Sequence, residues 1–302
     1  MAMYLGSKKV AVTNTVEKQV PSMKAFFEAG GKCKGSTATS FEGCWQFGDT
    51  ANVTDMSSMF HSCHNLTTVP LFDTSNVYNM SSMFYYCSKL TTVPLFDTSK
   101  VTNMYSMLNY CSNLTTVPLF DTSKVTKMSS MFYSCSSLTT VPQFDTSKVT
   151  NMNSMFDSCS NITTVPQFDT SKVTDMSYMF HSCHNLTTVP LFNTTNVTNM
   201  NNMLSYCYKI TTVPQFDTSK VTNMNYMFSN CSNLEEIHMI NINANLDISS
   251  STKFTREALL EIIGNLKART SGTKTLTMGS TNLAKLTEED KAIATNKGWT
   301  LA

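Results

Sequence analysis

A repeat of 24 residues runs through most of this chain. The unit reads approximately C-S-N-L-T-T-V-P-x-F-D-T-S-K-V-T-N-M-x-x-M-F-x-x, and its cysteine column shows the period best: Cys63, Cys87, Cys111, Cys135, Cys159, Cys183, Cys207 and Cys231. A strict period of about 20–50 residues predicts stacked supersecondary units, and 24 residues are too few for the four strands of a propeller blade. The repeat therefore predicts an α/β solenoid, in which each coil packs only against its neighbours.

One coil can be interpreted from its residue pattern. Leu66 to Val69 is rich in β-favouring residues and predicts a short parallel strand, which Pro70 must end because proline cannot donate to a ladder. The segment Asp73-Thr74-Ser75 predicts a turn. The return arm has apolar residues at helical spacing, which predicts one or two helical turns: Val77, Met80, Met83, Phe84 and Cys87. We expect these columns, together with Leu66, Val69 and Phe72, to point inward.

The chain contains 21 methionines and 10 cysteines, which would be unusual totals without the repeat. Sixteen of the methionines and eight of the cysteines belong to repeat columns. A flexible thioether fills gaps between phenylalanine rings, so we interpret the methionines as core. The column contains no C-x-x-C pair, and its cysteines are predicted to be buried free thiols.

The composition changes at both ends of the array. All ten glycines lie outside residues 49–263, and both tryptophans lie outside the regular coils. We predict an N-terminal cap over residues 1–46, a solenoid of about eight coils over 47–234, and a C-terminal α/β cap over 235–302. Caps are expected because an open solenoid end exposes core and unpaired strand edges.

Local patterns predict the elements of the two caps. The N-terminal cap is expected to hold strands at Met3–Leu5 and Val10–Val12 and a helix at Ser22–Ala29. The C-terminal cap is expected to hold a strand near Ile237–Ile242, a helix from Thr255 to Lys267, a strand at Leu276–Met278 and a helix that opens at Thr287 and ends near Gly298.

The repeat resembles the leucine-rich repeats of BspA-like bacterial surface proteins, through C-x-x-L-T-x-V-P followed by V-T-x-M-x-x-M-F-x-x-C in each coil. The resemblance covers about 190 of the 302 residues. It implies a right-handed, leucine-rich-repeat-like coil used for adhesion or recognition, without catalysis. Short starts such as Met3-Tyr4-Leu5-Gly6, and tails similar to Leu276–Leu283, occur in proteins that look phage- or prophage-encoded. The family therefore implies a place at a bacterial surface or in a phage particle.

Charge and motifs exclude several functions. Charged residues make up 14% of the chain and the net charge is +1, which argues against a nucleic-acid partner. No apolar run is long enough to insert into a membrane, and no secretion signal is visible at the start. There is no G-x-S-x-G, Walker-type or nicotinamide-binding pattern, so we expect no enzyme activity and no cofactor.

Two patterns in the sequence have residue types that could bind a metal ion. His61-Ser62-Cys63-His64 recurs at 181–184, but five coils separate the copies and each alone offers too few ligands for zinc. A carboxylate column could attract Ca²⁺, although lysines follow three residues later and aspartate is a common turn former: Asp73, Asp97, Asp121, Asp145, Asp169 and Asp217. We predict no metal. An ice-binding threonine face is also disfavoured, because two adjacent threonines cannot both face outward on a regular strand.

The coils differ mainly at tyrosine, serine, asparagine and histidine positions beside the Met-Phe and Cys columns. This composition resembles an antibody paratope, which combines rigid rings with adaptable hydrogen bonding. The candidate ligand-binding residues are Tyr85, Tyr86, Tyr105, Tyr110, Tyr133, Tyr178, His181, Tyr206, Tyr208 and Tyr226. One hypothesis is a recognition protein that binds a protein or glycan on a cell surface or host matrix. The alternatives are unconstrained surface and a structural spacer or assembly component of a phage tail or cell-surface structure.

Overall fold

The structure is a computed structural model that describes residues 2–5, 8–11, 50–69 and 71–302. The chain divides into two compact units, Met1–Val149 and Thr150–Ala302. In the first unit, β1 (Ala2–Leu5) pairs antiparallel with β2 (Lys8–Ala11), so the two N-terminal strands are confirmed. Val12, the helix expected at 22–29, Cys33 and Cys44 lie outside the described residues.

The return arm of each coil is a series of tight turns, so the prediction of helical turns is wrong. Met83 donates its N–H to the Met80 carbonyl three residues earlier (3.2 Å), whereas Phe84 donates to Met107 in the next coil (2.9 Å). The second unit repeats the alternation, with Phe180 donating to Met203 at 2.9 Å. Apolar residues at steps of three and four fit either geometry. A helix is avoided because every second N–H bonds to a neighbouring coil.

Two residues in each coil adopt a positive φ. Each is the third residue of a turn, where a type II turn requires a positive φ. The first left-handed position is held by Ser58, Ser82, Ser106, Ser130, Ser154, Tyr178, Asn202 and Tyr226, with φ of 52–59°. The second left-handed position is held by Ser62, Tyr86, Tyr110, Ser134, Ser158, Ser182, Tyr206 and Asn230, with φ of 56–62°. Glycine would meet this demand most easily, yet residues 49–263 contain none.

The expected strand forms in the last coil, where β3 (Thr212–Val213) pairs parallel with β4 (Glu236–Ile237). His238 follows β4 and donates its N–H to the Val213 carbonyl at 3.0 Å. Earlier coils have proline at the place of His238, and proline has no N–H to donate. The strand prediction is therefore wrong for the other described coils, which pair through isolated parallel bridges such as Asn79↔Asn103 and Asp175↔Asn199.

The threonine pair in each coil also differs from the expectation. Thr91 and Thr92 are both exposed, as are Thr187 and Thr188. The argument that only one of two adjacent threonines can face outward is wrong here, because the segment is not a regular strand. Thr187 instead donates its N–H and its hydroxyl to the Thr163 carbonyl, at 3.0 and 3.1 Å.

The core columns are confirmed. Val77, Met80, Met83, Phe84 and Cys87 are fully buried, and their equivalents in both units are buried except for the half-buried Val53. Phenylalanine rings stack between coils, with centroids 5.2 Å apart for Phe60–Phe84 and 5.7 Å apart for Phe156–Phe180. In the first described coil, Val69 and Phe72 are only half-buried, although the Phe72 ring packs 4.9 Å from Phe96.

Two buried columns satisfy backbone carbonyls of neighbouring coils. The Thr98 hydroxyl donates to the Asp121 carbonyl at 2.9 Å, and Thr194 donates to the Asp217 carbonyl at 2.9 Å. Six of the cysteine thiols donate to a carbonyl of the preceding coil, as Cys87 Sγ does to the Phe60 carbonyl at 3.1 Å. The eight cysteines of the column are buried thiols that form no disulfide within the described part of the chain, as predicted. The role of these threonines could not be predicted from the sequence, because Thr74 and its equivalents look like ordinary turn residues.

The second unit ends in a mixed region in which β5 (Leu246–Asp247), β6 (Lys274–Thr277) and β7 (Trp299–Leu301) form a parallel sheet in that order. Helix α1 covers Arg256–Gly264, α2 covers Gly279–Leu283 and α3 covers Glu288–Asn296. Thr255 and Thr287 cap α1 and α3 as predicted, and Gly298 follows α3 at a φ of 79°. The helix α2 was not expected. The cap role, the handedness of the coils and the domain bounds stay predictions.

Candidate ligand-binding surfaces

The first unit brings six aromatic side chains together. Tyr86 and Tyr110 lie with ring centroids 5.0 Å apart, and Tyr110 and Tyr133 lie 5.2 Å apart. His61 stacks on Tyr85 at 4.7 Å, and the His64 ring meets Tyr86 edge-on at 4.8 Å. Tyr85 and Tyr110 are 6.1 Å apart, which joins the two rows. We call this set the first aromatic surface: His61, His64, Tyr85, Tyr86, Tyr110 and Tyr133.

The repeat explains why these rings meet. Tyr86 and Tyr110 occupy the second left-handed position of successive coils, and Tyr85 and Tyr133 occupy the residue just before it. Tyr86 donates its N–H to Asn109, and Tyr110 donates to Tyr133, both at 2.7 Å. These backbone bonds hold the turns in register, so equivalent side chains of neighbouring coils lie side by side.

The second unit has a comparable cluster. The His181 ring lies 5.5 Å from Tyr178 and 5.7 Å from Tyr206, and His184 stacks on Tyr208 at 5.0 Å. Tyr206 and Tyr208 meet edge-on at 6.2 Å. We call this set the second aromatic surface: Tyr178, His181, His184, Tyr206 and Tyr208.

A buried carboxylate orients the centre of the second aromatic surface. His181 Nδ1 lies 2.8 Å from the Asp157 carboxylate, whose side chain is 7% exposed. The Ser158 hydroxyl donates to the same carboxylate oxygen at 2.8 Å. The imidazole of His181 is therefore fixed in place, and its ring is presented between two tyrosines.

Eight of the ten predicted residues thus fall into the two surfaces. Tyr105 and Tyr226 lie apart from them, with side chains 49% and 64% exposed. The histidines His61, His64 and His184 complete the surfaces, although the sequence indicated only exposed turn histidines. The repeat alignment could have found them, because each lies in the column of a candidate tyrosine or directly beside one. A role of these residues in binding stays a prediction.

Other exposed apolar side chains lie outside both surfaces. Leu71, Leu95, Leu119 and Tyr78 expose between 49% and 68% of their area in the first unit. The three leucines share a column in which other coils carry glutamine, so they form a separate apolar row.

The aspartate column forms turns, as the sequence indicated. The Asp97 carboxylate accepts the Ser99 N–H at 3.0 Å, and bonds from the backbone and hydroxyl of Ser99 lower the pKa of Asp97, with Lys100 adding a smaller contribution. Lys100 itself donates to the Asn76 side chain of the preceding coil at 2.6 Å. Among the described residues, no three histidine, cysteine, aspartate or glutamate side chains converge as a metal site requires. The absence of a metal stays a prediction.

The cysteine column is protected from ionisation. Burial raises the pKa of the Cys135 thiol well above its ordinary value, and raises the pKa of Cys231 to about 12. A thiol must ionise to act as a nucleophile, so these residues serve the core and not chemistry at neutral pH.

The repeats match a sequence family described as "Mycoplasma protein of unknown function, DUF285" over residues 22–138, 109–210 and 160–257. Together these matches span most of the chain. The chain belongs to this family. DUF285 repeats are of the BspA-like type, which confirms the resemblance drawn from the V-P and M-x-x-M-F motifs. No curated protein matches the chain.

Several solved structures of bacterial leucine-rich-repeat proteins are similar. A Treponema pallidum (T. pallidum) leucine-rich-repeat protein is 20% identical over 52% of this chain and 72% of its own, with a TM-score of 0.43. A leucine-rich cell surface protein from Faecalibacterium prausnitzii is 18% identical over 72% and 76%, with a TM-score of 0.29. One from Eubacterium ventriosum is 14% identical over 62% and 76%, also at 0.29. None of the helices among the described residues has the length and apolar content needed to cross a bilayer.

Proposed function

We propose that this DUF285 protein is a non-catalytic recognition protein, which binds a protein or glycan on a cell surface or host matrix through the two aromatic surfaces. It acts outside the cell, at a bacterial surface or in a phage particle. The BspA-like type of its repeats supports an adhesion role, and the arrangement of the tyrosines supports the location of the binding surface.

The observation that carries the proposal is the placing of tyrosines, three of them exposed and Tyr110 half-buried, on left-handed backbone. Tyr86, Tyr110, Tyr178 and Tyr206 have φ between 58° and 62°. A bulky residue at positive φ is uncommon and costs on the order of 1 kcal/mol or more. Other coils fold with serine or asparagine there, so the fold does not require tyrosine.

Burial does not explain these tyrosines either. Tyr86 is 42% exposed and Tyr206 is 39% exposed, so much of each ring faces solvent. Contiguous exposed aromatic area is typical of interaction sites, and tyrosine offers a large contact area at a small loss of side-chain entropy. Recognition accounts for the tyrosines, whereas folding does not.

The proposal is tested by capture of labelled full-length protein on mucin, on host matrix proteins and on intact gut bacteria. Two triple variants remove the rings while installing serine, a residue that other coils carry at all six positions: Tyr86→Ser/Tyr110→Ser/Tyr133→Ser and Tyr178→Ser/Tyr206→Ser/Tyr208→Ser. A matched control removes exposed apolar area elsewhere with the glutamine of other coils: Leu71→Gln/Leu95→Gln/Leu119→Gln.

We expect at least one tyrosine variant to lose capture by about tenfold or more, because interface tyrosines are frequent hot spots. The leucine control should bind as the parent does, and all three should melt within a few degrees of it, since surface substitutions change stability little. Capture that survives in both tyrosine variants would rule out recognition by these surfaces. A protein acting purely as a spacer would show no capture at all.

A further inference from the structure

A polar pocket lies in the second unit, where the last coil meets the strands β5 and β6. Its volume is about 290 Å³, at the lower end of the ~300–1,000 Å³ typical of small-molecule sites. The lining groups with polar atoms are Asn225, Tyr226, Asn245, Asp247, Thr275 and Thr277. We infer that this pocket binds one or two neutral sugar units of a glycan, with Tyr226 as the stacking ring.

The backbone explains why these groups converge. Thr275 and Thr277 are two residues apart on β6, so both side chains lie on one face, while Leu276 between them is fully buried on the other. The Tyr226 turn belongs to the last coil, which carries tyrosine at the first left-handed position with a φ of 59°. Five other coils have serine and one has asparagine at this place.

Hydrogen bonds within the pocket fix some polar atoms and leave others available to a ligand. The Asn245 side-chain oxygen accepts the Thr275 N–H at 3.0 Å, so the side-chain N–H groups of Asn245 take no part in that bond. Asp247 Oδ1 accepts the N–H and hydroxyl of Ser249 at 2.9 and 2.6 Å. The second oxygen of the Asp247 carboxylate therefore retains its accepting capacity, and a carboxylate oxygen has two lone pairs.

This combination matches the chemistry of a pyranose. A sugar ring has one apolar C–H face, which packs on an aromatic ring, and vicinal hydroxyls, each of which can both donate and accept. The Tyr226 side chain is 64% exposed and supplies the ring, while the amides, hydroxyls and carboxylate around it supply mixed donors and acceptors. Met224 and Leu246 are almost fully buried and form the apolar base.

Charge narrows the ligand class. Asp247 is the single ionisable carboxylate among the lining residues, and no lysine or arginine lines the pocket. Sialic or uronic acids would place a second negative charge near it, which is unfavourable. A small cation would use Asp247 and the ring, but it would leave the two amides and two threonine hydroxyls without partners. The hydroxyls of a neutral sugar both donate and accept, so they can pair with amides, hydroxyls and carboxylate alike.

The inference rests on the proposed recognition function and deepens it, because it names a ligand class and a separate contact point. The test is a printed panel of neutral glycans (glucose, galactose, mannose and N-acetylglucosamine) beside sialylated and glucuronic acid glycans, probed with the full chain. Lysine methyl ester serves as the cationic probe. Affinity for the best neutral methyl glycoside is then measured by calorimetry.

Tyr226→Asn is the decisive variant, because Asn202 occupies the same left-handed position in the preceding coil and folds there. We expect Tyr226→Asn to weaken the neutral glycoside by about tenfold or more, and Tyr226→Phe to keep most of the affinity. Tyr78→Thr, which installs the residue of the next coil at an exposed tyrosine, should bind as the parent does.

Each outcome separates the two hypotheses. Loss of glycoside binding in Tyr226→Asn, with retention in both aromatic-surface variants, supports the pocket. Retention in Tyr226→Asn with loss in an aromatic-surface variant overturns the pocket and leaves the proposed function intact. A panel that shows no neutral glycan binding, or stronger binding of acidic glycans or of the cationic probe, also overturns it.

Discussion

Replacing two equivalent buried threonines by valine should change the free energy of unfolding in opposite directions. Thr98 and Thr122 are equivalent residues of successive coils in the first unit, and their side chains are 1% and 2% exposed. The Thr98 hydroxyl donates to the Asp121 carbonyl at 2.9 Å, whereas the Thr122 hydroxyl has no hydrogen-bond partner among the described residues. Replacing either one by valine removes a hydroxyl and keeps the branched shape.

The expected magnitudes follow from the cost of burying a polar group. Thr98→Val loses a made hydrogen bond, which should lower the free energy of unfolding by about 1–2 kcal/mol. Thr122→Val removes a hydroxyl that was buried without a partner, which should raise the free energy of unfolding by about 1–3 kcal/mol. The two variants should therefore differ by at least about 2 kcal/mol, in opposite directions from the parent.

Urea denaturation of the full chain, followed by circular dichroism, measures both changes. Equal denaturant slopes for the parent and the two variants make the midpoints comparable. The double variant should show the sum of the two effects if the sites act independently. Equal destabilisation by both substitutions would refute the reasoning, because it would mean that the hydroxyl of Thr122 is as well satisfied as that of Thr98.

Three further outcomes are expected. In thermal melts, Gly298→Ala should destabilise the second unit by more than about 1 kcal/mol, because φ is 79° and the new Cβ would lie 2.9 Å from Arg269 Cβ. Gly264→Ala has open space around the new Cβ, so it should stabilise α1 by up to about 1 kcal/mol. The raised pKa of Cys231 keeps the thiol neutral in the folded chain while the unfolded chain ionises, so the free energy of unfolding should fall between pH 9 and about 12. In unfolding titrations, Cys231→Ala should reduce the slope of that fall by about 1.4 kcal/mol per pH unit. Deleting residues 97–120 should preserve a cooperative melt, whereas deleting half as many should abolish it.

The buried columns could be predicted because their period is strict. Valine, methionine, phenylalanine and cysteine at fixed places can be inward in every coil only if the coils stack in register. The inward direction of Met80, Phe84 and Cys87 followed from this alone. Their burial needed no knowledge of whether the connecting backbone was helical or turned.

The backbone conformation could not be predicted in the same way. Apolar steps of three and four residues are shared by a helix and by linked turns, so Val77 to Cys87 fitted both. The distinguishing fact is that alternate N–H groups bond between coils, which is a property of the stack and not of the segment. The predicted strand is absent from most coils because proline in its column has no N–H to donate. His238, at the place of that proline in the next repeat, does donate its N–H, to the Val213 carbonyl.

The candidate residues lie where the sequences of the coils differ, and most of them are neighbours in the structure. The sequence could not show that Tyr86 and Tyr206 stand on left-handed backbone. Serine and asparagine in the same columns were a partial sign, since short polar residues tolerate that conformation best. The pocket beside Tyr226 could not be predicted from the sequence, because it depends on how β5 and β6 pack against the last coil.

The residues at the left-handed positions vary between coils, whereas the residues of the buried columns hardly vary. Serine, asparagine and tyrosine all occur at these positions on the same turn, while the methionine, phenylalanine and cysteine columns stay nearly constant. Because every 24-residue unit carries the same interior columns, a whole unit can be added or removed without changing the kind of core it joins. The residues at the left-handed positions therefore set the chemistry of the outer face one coil at a time.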